Sequence, residues 1–209
     1  MSIHHDSLRS SRLSIDLTWT LRYRNVSPTE FLNTPDDLRS WTSSHGLKTS
    51  DQLRYQDLAR FRELREAIFG ALSQTINEQR ISRGQRQVIN KYATHSPYRP
   101  SLLSNGSVTL EHDGTGADEA LSTIARDAIE LLALNDGRLR RCEGPGCALI
   151  FHDESRPGTR RWCDTSRCGN RVNTHSYRKR RASLGAERDS AETMTASASF
   201  QTIYETGGQ

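Results

Sequence analysis

The chain has 209 residues, a formal net charge of +4 and a hydrophobic share of 33%. Its mean hydropathy of −0.74 is that of a polar chain with a moderate core. No stretch approaches the roughly 18–20 apolar residues of a membrane-spanning helix, and residues 1–17 lack the apolar run of a secretory signal. We therefore expect a cytoplasmic protein with no membrane partner, whose thiols stay reduced.

Charge is distributed unevenly along the chain. Residues 138–188 hold 13 Lys and Arg against 5 Asp and Glu, whereas residues 1–137 hold 16 against 17 and residues 189–209 hold none against 3. A basic block beside a nearly neutral one predicts a polyanion-binding unit joined to a second domain. Because a solvated surface usually mixes both signs, the imbalance weakens the alternative that these charges serve only solvation.

The first part of the chain predicts one strand and two short helices. Apolar residues alternate with polar or small ones over residues 11–24, which favours a short strand. The alternating residues are Ile15, Leu17, Trp19 and Leu21. Beyond a turn at Ser27-Pro28, short helices are expected over residues 29–33 and 36–44, the second capped by Asp36 or Thr34 and ended by Gly46.

Three further helices and a hairpin complete the expected N-terminal domain, residues 1–134. Apolar side chains at steps of three and four predict a long helix over residues 50–80, capped by Ser50 or Asp51. Shorter helices are predicted over residues 84–94 and 118–134, and Asn105-Gly106 between two apolar runs indicates a β-hairpin. The expected fold class is therefore mainly α with small β elements.

Four cysteines lie within 27 residues, as two pairs that each enclose four residues: Cys142 with Cys147, and Cys163 with Cys168. Two close pairs supply the four thiolates of a tetrahedral site at low cost in chain entropy, so we predict one structural Zn²⁺. A catalytic zinc usually keeps one coordination position open, which four cysteines do not. The alternatives are a disulfide pair, a redox-sensing zinc, and replacement of one cysteine by His152 or His175.

The zinc module is expected over residues 138–182 as a treble-clef-like four-cysteine finger, with a knuckle, a hairpin and a basic helix. Residues 148–151 and 159–162 are the predicted hairpin strands, and a helix is expected from Cys168 to about Ala182. A module this short cannot bury a large core, so metal binding would supply most of its folding free energy. The tail, residues 183–209, is predicted to be mostly disordered.

The basic helix predicts contact with duplex DNA. Arg171, His175 and Arg178 share one face, and a helix fits the major groove. The candidate DNA-binding residues are Arg160, Arg161, Arg167, Asn170, Arg171, Asn173, His175, Arg178, Lys179, Arg180 and Arg181. Single-stranded RNA is the alternative, but only Trp162 and Tyr177 offer rings for base stacking.

The cysteine-rich segment resembles the CGNR zinc-finger family, named for the run Cys168-Gly169-Asn170-Arg171. The resemblance extends over the four cysteines, Phe151, Asp153, Arg160, Arg161, Trp162 and the basic helix. In that family the finger follows a domain called ABATE, which residues 8–134 resemble. The resemblance implies a bacterial, stress-related transcription regulator with a DNA-binding finger and a possible sensor domain.

The resemblance to ABATE is carried by three segments. They are Leu13, Asp16 and Thr20; Leu38, Trp41, Gly46 and Leu47; and Leu64 to Ala67. Trp19 stands where the family usually has Asn, so a ligand site that used this Asn would be altered here.

A ligand-sensing role is expected for the N-terminal domain. Asp16 is a polar residue among apolar ones and could line a pocket with Arg22 and Trp41, the alternative being a hydrogen-bonded structural Asp. The domain has no phosphate-binding glycine loop, G-x-S-x-G or H-E-x-x-H motif. The leading hypothesis is therefore a non-enzymatic regulator with a small-molecule effector, and a homodimer because one finger has a small interface. A small-molecule-converting enzyme and an RNA- or protein-binding module are the alternatives.

Overall fold

The computed structural model describes residues 9–49, 52–111, 116–172 and 174. Within them the helices are α1 Leu13–Thr18, α2 Pro35–Ser44, α3 Tyr55–Ile76, α4 Arg83–Ala93 and α5 Ala117–Leu134. The strands are β1 Leu21–Arg22, β2 Thr29–Glu30, β3 Arg99–Leu102, β4 Val108–Glu111, β5 Leu139–Arg141 and β6 Ile150–His152. They pair in order as three two-stranded antiparallel sheets. The expected mainly α fold with small β elements is confirmed.

The chain divides into two compact units, the first ending at Asp164 and the second beginning at Thr165. In the first unit, α3 is the central helix and packs against α1, α2, α4 and α5. Its buried stripe is the one predicted from spacing and includes Phe61, Leu64, Ile68 and Leu72. None of the described helices combines the length and the apolar character needed to cross a membrane.

The predicted opening strand is wrong over most of its length, because residues 13–18 form helix α1. Ile15 and Leu17 are buried as expected, but the intervening Ser14, Asp16 and Thr18 are buried too. A segment buried on every side has no polar face, so its alternation of residue types does not report a strand. The polar groups are satisfied instead, since both the backbone N–H and the hydroxyl of Ser14 donate to the Asp127 carboxylate.

The helix predicted over residues 29–33 is also wrong, because Thr29–Glu30 is strand β2, paired with β1. The Glu30 carboxylate accepts the backbone N–H groups of Phe31 and Leu32. The N–H of Phe31 also donates to the carbonyl of Thr20 at 2.9 Å. A side chain that bonds its own backbone in this way competes with helix formation.

The other helices begin and end close to their predicted limits. Thr34 is the N-cap of α2, and its hydroxyl accepts the backbone N–H of Asp37 in a capping box. Helix α3 begins at Tyr55 rather than at residue 50, with Arg54 as N-cap, and the predicted caps Ser50 and Asp51 lie outside the described residues. The hairpin at Asn105-Gly106 is confirmed as β3–β4, with Gly106 in the left-handed region at φ +79°.

A buried ion-pair network joins α3 to strand β2. Arg65 is 3% exposed and donates both terminal nitrogens to Glu30, each at 2.7 Å, and its Nε to Glu66 at 2.8 Å. Burial alone would raise the pKa of Glu30, but the hydrogen bonds from Arg65 outweigh it and lower that pKa below its ordinary value. The network fixes β2 against α3, and its satisfied bonds are those of a structural element.

The hairpin β5–β6 packs on the same helices. Strand β5 contacts α3, and β6 contacts both α1 and α3. The buried indole of Trp19 donates its Nε1–H to the carbonyl of Ile150 at 2.7 Å, and Arg141 donates to the hydroxyl of Ser73 at 3.1 Å. The first half of the cysteine-rich segment is therefore built onto the helical domain rather than tethered to it by a free linker.

Candidate metal centre and nucleic-acid interface

The first cysteine pair lies in the turn that joins β5 to β6. The N–H of Cys147 donates to the carbonyl of Gly144 at 2.9 Å, and Gly146 adopts φ +70°, a region that favours glycine. The N–H of Gly144 also points at the sulfur of Cys142, 3.4 Å away. The Glu143-Gly144-Pro145-Gly146 segment thus turns the backbone around the two thiols, as expected of a zinc knuckle.

The predicted hairpin between the cysteine pairs is wrong. Strand β6 pairs with β5 instead, in the register Arg140 to Phe151, and residues 159–162 form no strand. The cause is Asp153, which is fully buried and whose carboxylate accepts the N–H groups of Ser155 and Arg160. The backbone N–H of Arg160, which a strand over residues 159–162 would use for pairing, is therefore bonded to a side chain instead.

All four cysteines are buried and gather at one point. The sulfur atoms of Cys142, Cys147, Cys163 and Cys168 all lie within 4.8 Å of one another, and those of Cys147 and Cys163 are 3.6 Å apart. No disulfide joins them. A tetrahedral zinc with Zn–S bonds of about 2.3 Å places its sulfurs about 3.8 Å apart, so this donor set fits one zinc ion.

The chemistry of the crowded thiols also calls for a cation. Hydrogen bonding to Cys142 and burial raise the pKa of Cys147 to about 12, and the same causes raise the pKa of Cys163 above its ordinary value. Adjacent thiolates repel one another in a buried site, so at neutral pH protons or a metal must balance them. A zinc ion held by the four cysteines would replace those protons and balance the thiolate charge.

Arg160 braces the second cysteine pair. Its Nε donates to the carbonyl of Trp162 at 2.8 Å, its Nη2 donates to the carbonyl of Cys163, and its guanidinium stacks over the Phe151 ring at 5.1 Å. Arg160 is one of the predicted DNA-binding residues. Its contacts make it a positioning residue for the metal site, a role that sequence reasoning missed.

Arg161, the next residue, contacts a carboxylate rather than backbone carbonyls. It forms an ion pair with Glu143 of the first knuckle, 2.7 Å from Nε to Oε2, and both side chains are more than half exposed. Glu143 raises the pKa of Arg161, so the guanidinium stays charged. An exposed pair of this kind adds little stability, and a phosphate could replace the carboxylate.

The remaining predicted DNA-binding residues lie in and beyond the second unit's first turn. Thr165–Gly169 is a π-helical turn that contains Arg167 and Cys168, and residues 170–172 continue as α-helix with Asn170 and Arg171 exposed. Residues predicted to extend this helix lie outside the described residues, namely Asn173, His175, Arg178, Lys179, Arg180 and Arg181. The expected tail, residues 183–209, lies outside them as well.

His152, considered as a replacement ligand, has a carboxylate partner. Its Nε2 lies 2.8 Å from Oδ2 of Asp136. It is not part of the four-cysteine cluster. His175, the other histidine considered, lies outside the described residues.

Family comparisons add to this geometry. The family ABATE, described as "putative stress-induced transcription regulator", matches residues 11–134. The chain belongs to the ABATE family. A second family, the CGNR zinc finger, matches residues 138–181, which include all four cysteines. No curated protein matches the chain. Residues 11–134 are called the ABATE region below, and residues 138–181 the CGNR finger.

The predicted ligand-binding residues are part of the packed ABATE core. Asp16 and Trp41 are joined through His45, whose Nε2 lies 3.2 Å from Asp16 Oδ2 and whose ring stacks on Trp41 at 4.4 Å. Asp16 also accepts the N–H of Ser10 at 2.6 Å. Such contacts are those of the structural alternative for Asp16, and sequence reasoning missed His45. Arg22 instead contacts the carbonyl of Trp19 and the ring of Phe31.

An open cavity lies elsewhere, where the ABATE helices meet the finger's first strand. Its volume is about 450 Å³. The C-terminal ends of α3 and α5 form two walls, and strand β5 with the preceding Asn135-Asp136-Gly137 turn forms a third. Apolar side chains such as Ile76, Leu132 and Leu139 line it together with the polar groups of these ends.

Loss of one thiolate tests the metal site. In Cys163→Ser we expect zinc content to fall from one ion per chain to well below half, since a serine hydroxyl is a poor zinc ligand. The ABATE helices should persist, because their core does not include the thiols. Elemental analysis and circular dichroism would measure this, with Thr159→Ser as the control. Full zinc occupancy in the variant would contradict the tetrathiolate assignment.

Removing the brace tests the positioning role of Arg160. We expect Arg160→Ala to bind zinc about 10–100-fold more weakly, the usual cost of losing a group that orients metal ligands. Arg161→Ala, which removes only the exposed pair with Glu143, should bind zinc like the wild type. Competition with a chromogenic chelator gives both affinities, and equal values for the two variants would overturn the distinction.

Proposed function

We propose that the chain is a transcription regulator that binds duplex DNA through its CGNR finger, with the ABATE region as a sensor of a small molecule. Membership of the ABATE family supports the regulator role. The observation that carries DNA binding is the convergence of four buried thiols at the start of the arginine-rich segment. A ligand to zinc at Cys168 would fix the first turn of that segment.

The excess of positive charge after Cys168 supports a polyanion as partner. Beyond Cys168 the chain reads GNRVNTHSYRKRRAS, with five arginines and lysines before Ala182 and no acidic residue. Asn170 and Arg171 are exposed at its start. Arginine pairs with guanine edges and asparagine with adenine edges in the major groove, and the other cations neutralise phosphates. One finger buries only roughly 600–1,000 Å² on DNA, so we propose that two copies bind together.

The test of DNA binding uses the full chain and fluorescently labelled genomic duplexes. We expect affinity to fall steeply as salt rises, because bound cations release counterions from the duplex. Arg171→Ala with Arg178→Ala should weaken binding about 30-fold or more, at roughly 1 kcal/mol or more for each side chain, without loss of zinc. The matched control is Arg83→Ala with Arg86→Ala, two exposed arginines of α4.

Two outcomes would contradict the proposal. One is the absence of duplex binding at low salt, and the other is equal or higher affinity for single-stranded RNA of the same sequence. If the Arg171 and Arg178 variant binds as the control pair does, the basic helix is not the DNA-reading element. Light scattering of the complexes gives the number of copies bound.

The 450 Å³ cavity supports the sensor role. It falls in the size range of small-molecule sites, about 300–1,000 Å³. One of its walls is strand β5, whose last residue, Arg141, immediately precedes the zinc ligand Cys142. A molecule that filled the cavity would therefore press on the base of the finger. We propose this cavity, rather than the packed site around Asp16, as the effector site.

Filling the cavity tests this assignment. Anilinonaphthalene sulfonate, an apolar anion that fluoresces when shielded from water, serves as the probe. We expect the wild type to bind it and Leu132→Trp to bind it about tenfold more weakly, since the indole occupies the cavity. Leu134→Trp is the control, because Leu134 is 53% exposed on the same helix. Equal probe binding by all three proteins would contradict the assignment.

A further inference from the structure

Six of the thirteen arginines in the ABATE region form ion pairs with carboxylates among the residues that the structure describes. Arg12 pairs with Asp127 at 3.0 Å, Arg24 with Glu66 at 2.5 Å, and Arg65 with Glu30 at 2.7 Å. In each of these pairs the carboxylate balances the charge of the guanidinium. They are structural contacts and do not attract a polyanion.

The arginines of the hairpin and the loop that follows are held differently, by neutral acceptors. Arg138 donates to the carbonyls of Asp153 and Ser155, at 3.0 and 2.8 Å. Arg140 donates to the carbonyl of Gly158 at 3.2 Å. Among the residues that the structure describes, neither Arg140 nor Arg156 is paired with a carboxylate. A carbonyl positions a guanidinium without cancelling its charge, so these groups keep their attraction for anions.

The fold brings the backbone positions of three of these arginines to one edge of the finger. Arg140 lies opposite Phe151 in the β5–β6 ladder, and the guanidinium of Arg160 covers the ring of Phe151. Arg140 reaches Gly158, two residues after Arg156. Arg140, Arg156 and Arg160 are all exposed, and we call them the arginine edge.

Nearby acids do not neutralise the arginine edge. The carboxylate of Asp153 is fully buried and bonded to the N–H groups of Ser155 and Arg160. Glu154 accepts the hydroxyl of Ser11 and lies 3.7 Å from Nδ1 of His152. Glu143 is paired with Arg161. The net positive charge of the edge therefore faces solvent.

We propose that the arginine edge contacts the phosphate backbone of duplex DNA, as a second binding surface in addition to the predicted basic helix. The proposal rests on the proposed DNA-binding function and adds Arg140 and Arg156 to the residues that carry it. Backbone contact suits this surface, because guanidinium groups bind phosphate oxygens while the Phe151 ring is buried and cannot stack on a base. Such contacts add affinity without reading sequence.

The test compares Arg140→Ala with Arg156→Ala, in one variant, against the Arg83→Ala and Arg86→Ala control with the same change in charge. Arg160 is left intact because it braces the second cysteine pair. For each protein, duplex affinity is measured over a series of salt concentrations. We expect the slope of log affinity against log salt to become shallower by about 2, since each arginine that neutralises a phosphate contributes near one unit. The control pair should leave the slope unchanged.

A charge-preserving variant, Arg140→Lys with Arg156→Lys, checks that the effect is electrostatic and should retain most of the slope. Zinc content and the melting temperature of each variant establish that the fold is intact. If the wild type and the control bind duplex DNA and the alanine variant has the same slope, this inference is wrong while the proposed function stands. If the wild type does not bind duplex DNA, both are wrong. A drop in affinity confined to single-stranded RNA would overturn the assignment of the partner.

Discussion

The folded arrangement of the finger depends on one cation that balances the charge of four buried thiolates. Cysteines brought within 4.8 Å of one another cannot all ionise without a metal, and a zinc ion satisfies them together. Binding of structural zinc supplies folding free energy on the order of 10 kcal/mol or more, which a short polar module could not obtain from apolar burial. The thiols therefore decide whether the knuckle and the turn at Cys168 take up one arrangement.

The ABATE region provides the other half of this arrangement. Trp19 from α1 bonds the carbonyl of Ile150 in β6, and Arg141 in β5 bonds Ser73 in α3. Trp19 stands where the family resemblance leads one to expect Asn, and its indole serves here as a structural donor. The strands that hold the first knuckle are thus packed directly against α1 and α3.

Hydrophobic periodicity predicted the helices that are buried on one face and exposed on the other. Helices α3 and α5 each expose one face to water, so the spacing of Phe61, Leu64 and Leu72 identified α3, and the spacing of Leu121, Ile124 and Leu131 identified α5. The cysteine spacing identified the zinc site. Helix α1 was missed because it is buried on all sides, and β2 because Glu30 bonds its own backbone. The partner of β6 was missed because the buried carboxylate of Asp153 sets the fold of the chain there. The contact of His45 with Asp16 joins residues far apart in the sequence, and the bracing role of Arg160 rests on bonds to backbone carbonyls. Spacing along the chain reports neither kind of contact.

Zinc K-edge X-ray absorption on the purified full chain tests the central claim most directly. We predict one zinc per chain with a single shell of four sulfurs at about 2.3 Å and no nitrogen or oxygen ligand. A chain that is ordered without metal, or a shell in which nitrogen or oxygen replaces sulfur, would contradict the account.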